Sequence, residues 1–209
     1  MKFLSFPVIE TPDKYGIAPN DMLDPIESKL IITACLNRAP ANVLEIGTCR
    51  GKTTANMAKV LLPTGGELVS VDVISKPDSL PTEQNGEVPG KECQAGEEIP
   101  AEYRDFVKLE LIDPNDDDAL NQICIKYGPF DVIFIDGDHS YSGVSHDRNV
   151  VKRHVKRDGV ILLHDIWWDV FPPPVDGPLK LLQELNGTIL NLSHTGAFWH
   201  DNGEQRYSI

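Results

Sequence analysis

Acidic residues recur where apolar segments of this chain end: Glu45 in VLEIG, Asp72 in LVSVDV, Asp113 in LELID, Asp136 in VIFIDGD and Asp165 in VILLHD. One acid at a strand end is ordinary, because Asp often caps the helix that follows. Five along one rim describe an edge that can accept hydrogen bonds from hydroxyls, hold a cation or receive protons. Beside the first acid lies EIGTCRGKTT, which resembles the end of a phosphate-binding loop. The resemblance fails by one residue. Gly47 and Gly51 enclose three residues instead of four, and Ile46 stands where the first glycine should be.

Glu45 also opposes a pyrophosphate at that loop, whereas it suits a ligand bearing an ammonium group. Asp72 follows Gly47 by 25 residues. An acid near that spacing after a glycine loop accepts both hydroxyls of a ribose. The loop therefore describes a nucleoside with a cationic tail, approached closely by backbone at Gly47 and Gly51.

The elements that must position these residues alternate. DPIESKLIITACLNR carries a helix start, with Asp24 as N-cap, Pro25 at the first position and Glu27 reaching back. A strand from Asn42 ends in the glycine loop, and TTANMAKVLL forms a helix closed by Pro63 and the glycines after it. GELVSVDVI, FVKLELID, FDVIFIDGD and GVILLHD read as further strands. DDALNQICIKY, residues 142–156 and LKLLQELN read as helices, with GTILNLS and GAFWHD as closing strands. This alternation predicts βαβ units with right-handed crossovers: an α/β, Rossmann-like three-layer sandwich around a mostly parallel seven-stranded sheet. Ligands in such sheets bind at the carboxyl ends of the strands, where the acids lie.

The 209 residues form one expected domain, 1–209, with 41% hydrophobic and 24% charged residues. A net charge of −13 leaves no basic excess to displace counterions from nucleic acid or to seek an anionic membrane. The basic end of the 142–156 helix suits its dipole and a solvated face. No apolar stretch approaches the ~20 residues that span a bilayer. MKFLSFPVIE is interrupted by Pro7 and Glu10 without a following cleavage site, so a cytoplasmic protein is expected. Cys35, Cys49, Cys93 and Cys124 are widely spaced, as reduced thiols would be. Residues 75–100, rich in Pro, Gly and Glu, read as a mobile or lid-like insertion.

With these features together, the chain resembles the class I S-adenosylmethionine-dependent methyltransferases over roughly residues 24–186. VLEIGTCRGKTT is similar to their first motif, VSVDV to the second and LELID to the third. FDVIFIDGDHSYSGVSHD followed by GVILLHD resembles the branch of small-molecule O-methyltransferases, including catechol-type and sugar-type enzymes. The resemblance implies S-adenosylmethionine held by Glu45, Gly47, Thr48 and Gly51, with Asp72 on the ribose, Asp113 near the adenine amino group and Asp136 alongside. It implies a divalent cation, usually magnesium, on Asp136 and Asp165.

Catechol-type enzymes carry an asparagine after the second metal acid, where this chain has Ile166, and a lysine base where it has His139. Asp138 or His164 can then complete the cation's shell. A histidine base titrates near neutrality with less tuning than a lysine. His139 and Asp138 are accordingly the expected catalytic residues, and His164 is expected to support them. The expected reaction is O-methylation of a small-molecule hydroxyl, with room for a homodimer. Two alternatives share the fold: a cofactor-binding protein without methyl transfer, and a hydroxylase-like enzyme of antibiotic-type pathways. Trp167 and Trp168 are placed to wall an aromatic or sugar substrate or to pack beneath their loop. His194 and His200 are expected to be structural.

Overall fold

The computed structural model describes residues 28–73, 94–113, 116, 118–166 and 176–185, and the backbone alone of 25–27, 188–191 and 197–200. Five strands form one all-parallel sheet in the order β3-β2-β1-β4-β5: β1 (Asn42–Ile46), β2 (Glu67–Val73), β3 (Val107–Ile112), β4 (Phe130–Ile135) and β5 (Val155–Leu163). β6 (Thr188–Asn191) and β7 (Ala197–His200) pair antiparallel in a separate two-stranded sheet, with β7 running beside β5. The expected seven-stranded sheet is thus five strands with a neighbouring hairpin.

Period-two alternation divides the strand side chains between two cores. Val43, Leu68, Val132, Phe134, Val160 and Leu162 meet α1 (Pro25–Leu36) and α2 (Lys52–Thr64) on one face. Leu44, Val69, Ile133, Ile135, Ile161 and Leu163 meet α4 (Ala119–Tyr127), α5 (Tyr141–Val151) and α6 (Gly177–Glu184) on the other. α3 (Ala101–Arg104) is a single turn leading into β3. Because both faces are covered, β1, β4 and the end of β5 are near-continuous apolar runs. The strand order reverses between β1 and β4, which opens a crevice at their carboxyl ends.

Two boundaries differ from the sequence reading. α2 runs through Pro63 and ends at Gly65, whose left-handed backbone (φ +74°) lets its N–H reach the carbonyls of Leu61 and Leu62. α5 stops at Val151, and β5 begins at Val155, so Lys156 and Arg157 lie in a strand and not at a helix end. Lys156 instead pairs with Asp131 of β4 at 2.7 Å. Asp24, most of the 75–100 insertion, Trp167, Trp168 and His194 lie outside the described residues. Buried Cys35 and Cys124 are thiols that burial pushes up to about 12, and no disulfide forms among the described residues. Among those residues no helix is long and apolar enough to cross a membrane.

Candidate functional site

The glycine loop leaves β1 between its two neighbours. Gly47 donates to the Val71 carbonyl at 2.9 Å, and the Asp136 amide donates to Ile46 at 2.8 Å. Gly47 has φ +97° and lies so close to β4 that a Cβ there would overlap the Asp136 carbonyl. Gly51 (φ +93°) is backed by Ile99. Both positions need glycine for the turn and for the close approach.

Beneath the loop runs a buried polar network. Thr54 and Ser70 donate to the same oxygen of Glu45 at 2.6 and 2.5 Å. Since the Ser70 proton is so placed, the Thr48 hydroxyl donates to Ser70 at 2.7 Å. The network joins the loop to α2 and β2. Glu45 is 0% exposed and Thr48 3%. Neither side chain therefore reaches the crevice, and the expectation that they touch the ligand is corrected: they set the loop's shape. Ser70, a hydroxyl inside the apolar run ELVSVDV, was the sequence signal for this partner.

Burial pushes the Glu45 carboxyl up to about 8 against the lowering hydrogen bonds from Ser70 and Thr54, with Asp136 and Asp72 raising it further. The folded chain thus holds a proton that the unfolded chain releases above its ordinary value near 4.5. This stability is complete at acid pH and is lost as pH rises from about 4.5 through about 8, in total on the order of a few kcal/mol. Glu45→Gln keeps both hydroxyl hydrogen bonds without the ionisation. Its melting temperature should exceed the native value at pH 9 and approach it at pH 5; a pH-independent difference would contradict this account.

Asp72, at the end of β2, accepts from the amide of Cys49 at 2.6 Å and from its neighbour Val73 at 2.7 Å. Its carboxyl is raised by burial, partly offset by amide hydrogen bonds from Cys49, Val73 and Thr48. The loop is clasped from outside by residues at the end of the 75–100 insertion. Gly96 donates to the Cys49 carbonyl and Glu98 to the Arg50 carbonyl, both at 2.8 Å, and Arg50 pairs with Glu97 and Glu98 at 2.9 and 2.7 Å. The sequence reading missed this clasp because its composition is that of a loop. Asp113 is exposed at the end of β3, the outer edge of the sheet.

On the other side of Gly47, β4 and β5 bring four donors together. The register Ile135↔Leu163 sets Asp136 and His164 side by side. His164 Nδ1 lies 2.9 Å from Asp136 Oδ1 and 3.2 Å from Asp165 Oδ1. His139 Nε2 lies 3.3 Å from both Asp136 Oδ1 and Asp165 Oδ2. One ligating atom from each of these residues falls within 4.8 Å of all the others. Burial would raise Asp136, but His164 and His139 outweigh it and bring its carboxyl down to about 2. His139 is lowered by burial yet raised overall by Asp136 and Asp165. Asp165 adopts a left-handed backbone (φ +53°), a conformation kept where surroundings demand it.

The structure removes Asp138 from this group. Its carboxylate accepts from the Ser140 amide at 2.7 Å and hydroxyl at 2.9 Å, while Ser140 caps α5 by accepting from Gly143 at 3.1 Å. Asp138 is thus an exposed acid at the start of α5, outside the four-residue cluster. The His139 loop is fixed from behind by α6, whose Gly177 amide donates to the His139 carbonyl at 3.0 Å. Ile166 packs in the core at 4% exposure and offers no ligand atom.

Comparison with known proteins places this geometry. Residues 44–166 match a family described as "Methyltransferase domain". Mycinamicin VI 2''-O-methyltransferase of Micromonospora griseorubida is 34% identical over 83 residues, covering 38% of this chain and 20% of that protein. The chain thus aligns with only about a fifth of that relative's length. The MycE methyltransferase of the mycinamycin biosynthetic pathway, solved with Mg, SAH (S-adenosylhomocysteine) and mycinamycin VI, aligns at TM-score 0.55 and 22% identity over 87% of this chain and 50% of that one. A putative O-methyltransferase from Klebsiella pneumoniae aligns at TM-score 0.59 and 21% identity over 90% of this chain and 85% of that one. The two structural likenesses establish the fold. The family match includes the end of β1, the glycine loop, Asp72, Asp136 and Asp165 and covers more than half of the 209 residues; the chain belongs to the methyltransferase-domain family.

Proposed function

We propose that this chain is an S-adenosylmethionine-dependent methyltransferase that transfers a methyl group to a hydroxyl of a small molecule, its residues acting as one methyltransferase domain. The observation that carries this reading is the juxtaposition at Gly47. A cofactor loop with a ribose-type acid on one side meets an Asp and His cluster on the other, at the point where the strand order reverses. The acidity of the rim favours a sulfonium cofactor over a pyrophosphate one.

In this reading the methionine part lies on the backbone of Gly47 to Gly51, shaped from below by Glu45 and Thr48. Asp72 accepts from the ribose hydroxyls, Asp113 stands near adenine and Asp136 borders the cofactor. His139 Nε2, poised between two carboxylates, takes the proton of the acceptor hydroxyl. The oxygen displaces the sulfonium in line: an O–CH₃ bond forms, the S–CH₃ bond breaks, and a methyl ether, S-adenosylhomocysteine and protonated His139 result.

The donor set fits a divalent cation, with carboxylates of Asp136 and Asp165 converging in one place and Asp136 ionised throughout the neutral range. When bound, such an ion would lower the pKa of the acceptor hydroxyl. MycE, a relative in fold, was solved with Mg and SAH, which supports both cofactors.

Melting curves with S-adenosylmethionine, S-adenosylhomocysteine, NAD and ATP test the reading. At a hundredfold excess over Kd, the adenosyl sulfur compounds should stabilise by about 2.7 kcal/mol, a rise of about 5–10 °C. Asp72→Asn should weaken S-adenosylhomocysteine by about 10- to 100-fold in calorimetric titration, as loss of charged hydrogen bonds does. Stabilisation by ATP or NAD alone would overturn the assignment.

A further inference from the structure

We infer that His164, through Nδ1, is a third protein ligand for the cation on Asp136 and Asp165, and that this nitrogen tilts the site toward manganese(II) or cobalt(II) and away from magnesium. The inference rests on the cation reading above and divides the labour of the two imidazoles: His164 holds the ion, and His139 remains the base.

Position comes first. His164 Nδ1 lies between the two carboxylates, 2.9 Å from one and 3.2 Å from the other. Atoms on adjacent corners of an octahedral shell at about 2.1 Å from the ion lie about 3 Å apart. Immobility comes second. The ring is 6% exposed, stands edge-on to Phe134 at 5.9 Å and 70°, and follows a backbone amide that donates to the Ile135 carbonyl at 3.1 Å. A ligand so fixed is presented without loss of rotamer freedom. Elimination comes third: Ile166 is apolar and buried, and Asp138 serves the start of α5. His139 sits on a loop, is 25% exposed, and stands slightly farther from each acid. It is the imidazole open to an incoming hydroxyl.

Donor chemistry then sets the metal. Magnesium favours oxygen donors with retained waters, whereas an imidazole nitrogen beside carboxylates suits first-row transition ions. The shell here is two oxygens and one nitrogen.

The test is pulsed electron paramagnetic resonance of manganese(II) added to the full chain, with titrations of manganese and magnesium alongside. A nitrogen-14 modulation should appear in the native protein and persist in His139→Asn, where His164 is the remaining imidazole of the cluster. It should vanish in His164→Asn. The native protein should bind manganese at least about tenfold more tightly than magnesium, and His164→Asn should lose that preference. If His164→Asn fails to fold, the His139→Asn spectrum still decides. Bound manganese without nitrogen modulation in His139→Asn would overturn the inference and leave the cation reading standing. No manganese binding, with stabilisation by S-adenosylhomocysteine intact, would remove both while leaving the cofactor assignment.

Discussion

Asp136→Asn should abolish methyl transfer, lowering turnover by about 10³-fold or more, while leaving S-adenosylhomocysteine affinity within about threefold. The substitution is nearly isosteric and keeps the β4 backbone, whose amide bonds to Ile46 and shapes the Gly47 loop. What it removes is charge at the point shared by both imidazoles, since His164 Nδ1 and His139 Nε2 each approach Asp136 Oδ1. With its carboxyl at about 2, Asp136 is fully ionised near neutrality, and the amide that replaces it carries no charge at any working pH. His139, deprived of one of the two acids that raise it, should also become a weaker base. Product formation with a hydroxylated acceptor and calorimetry with S-adenosylhomocysteine separate the two effects. Unchanged turnover would remove Asp136 from the chemistry.

Gly47→Ala should have the largest effect on stability of any glycine substitution in the loop. The added Cβ would overlap the Asp136 carbonyl and meet the Gly137 amide nitrogen at 2.9 Å, all of it backbone just past the end of β4, at φ +97°. Neither neighbour can turn aside as a flexible side chain would. Strain and displacement together should cost about 3 kcal/mol or more, a melting temperature lower by about 6–12 °C. Gly65→Ala is the matched control: φ is also positive, at +74°, but nothing lies within 4 Å of the added carbon. It should cost about 1 kcal/mol, the conformational penalty alone. Equal melting temperatures for the two variants would show that the contact with β4 contributes nothing. Because Asp136 sits directly across this contact, Gly47→Ala should also weaken metal binding, and Gly65→Ala should not.

The parts of this molecule that were legible in its sequence are those governed by local pattern. Strands covered on both faces must be apolar, so VLEI, LVSV and VIFI declared themselves, and the acids after them fell at the crevice as a parallel sheet requires. Composition says less about where a helix yields to a strand. Four of the six residues from Lys152 to Arg157 are Lys or Arg, and the pairing of Val155 with Phe130 of β4, distant in sequence, sets where β5 starts.

Side-chain direction was the other loss. Beside the glycines Glu45 is expected to face the ligand, but strand alternation turns it toward α2, where Thr54 of α2 and Ser70 of β2 receive it. In the sequence, Asp138 and His164 are alternatives for completing the cation's shell. Ladder register brought His164 beside Asp136, while a turn at Ser140 took Asp138 away. Such choices rest on tertiary register, which one sequence does not print.

Where the cofactor and the metal sit decides the function of this crevice. A crystal structure with S-adenosylhomocysteine and manganese, phased to reveal the metal by its anomalous scattering, tests it in one measurement. The account predicts the ribose on Asp72, the amino-acid part along Gly47 to Gly51, and one anomalous peak among Asp136, Asp165 and His164, with His139 facing the sulfur. An adenosyl group bound elsewhere, or a metal peak away from these three residues while the crevice is open, would contradict it.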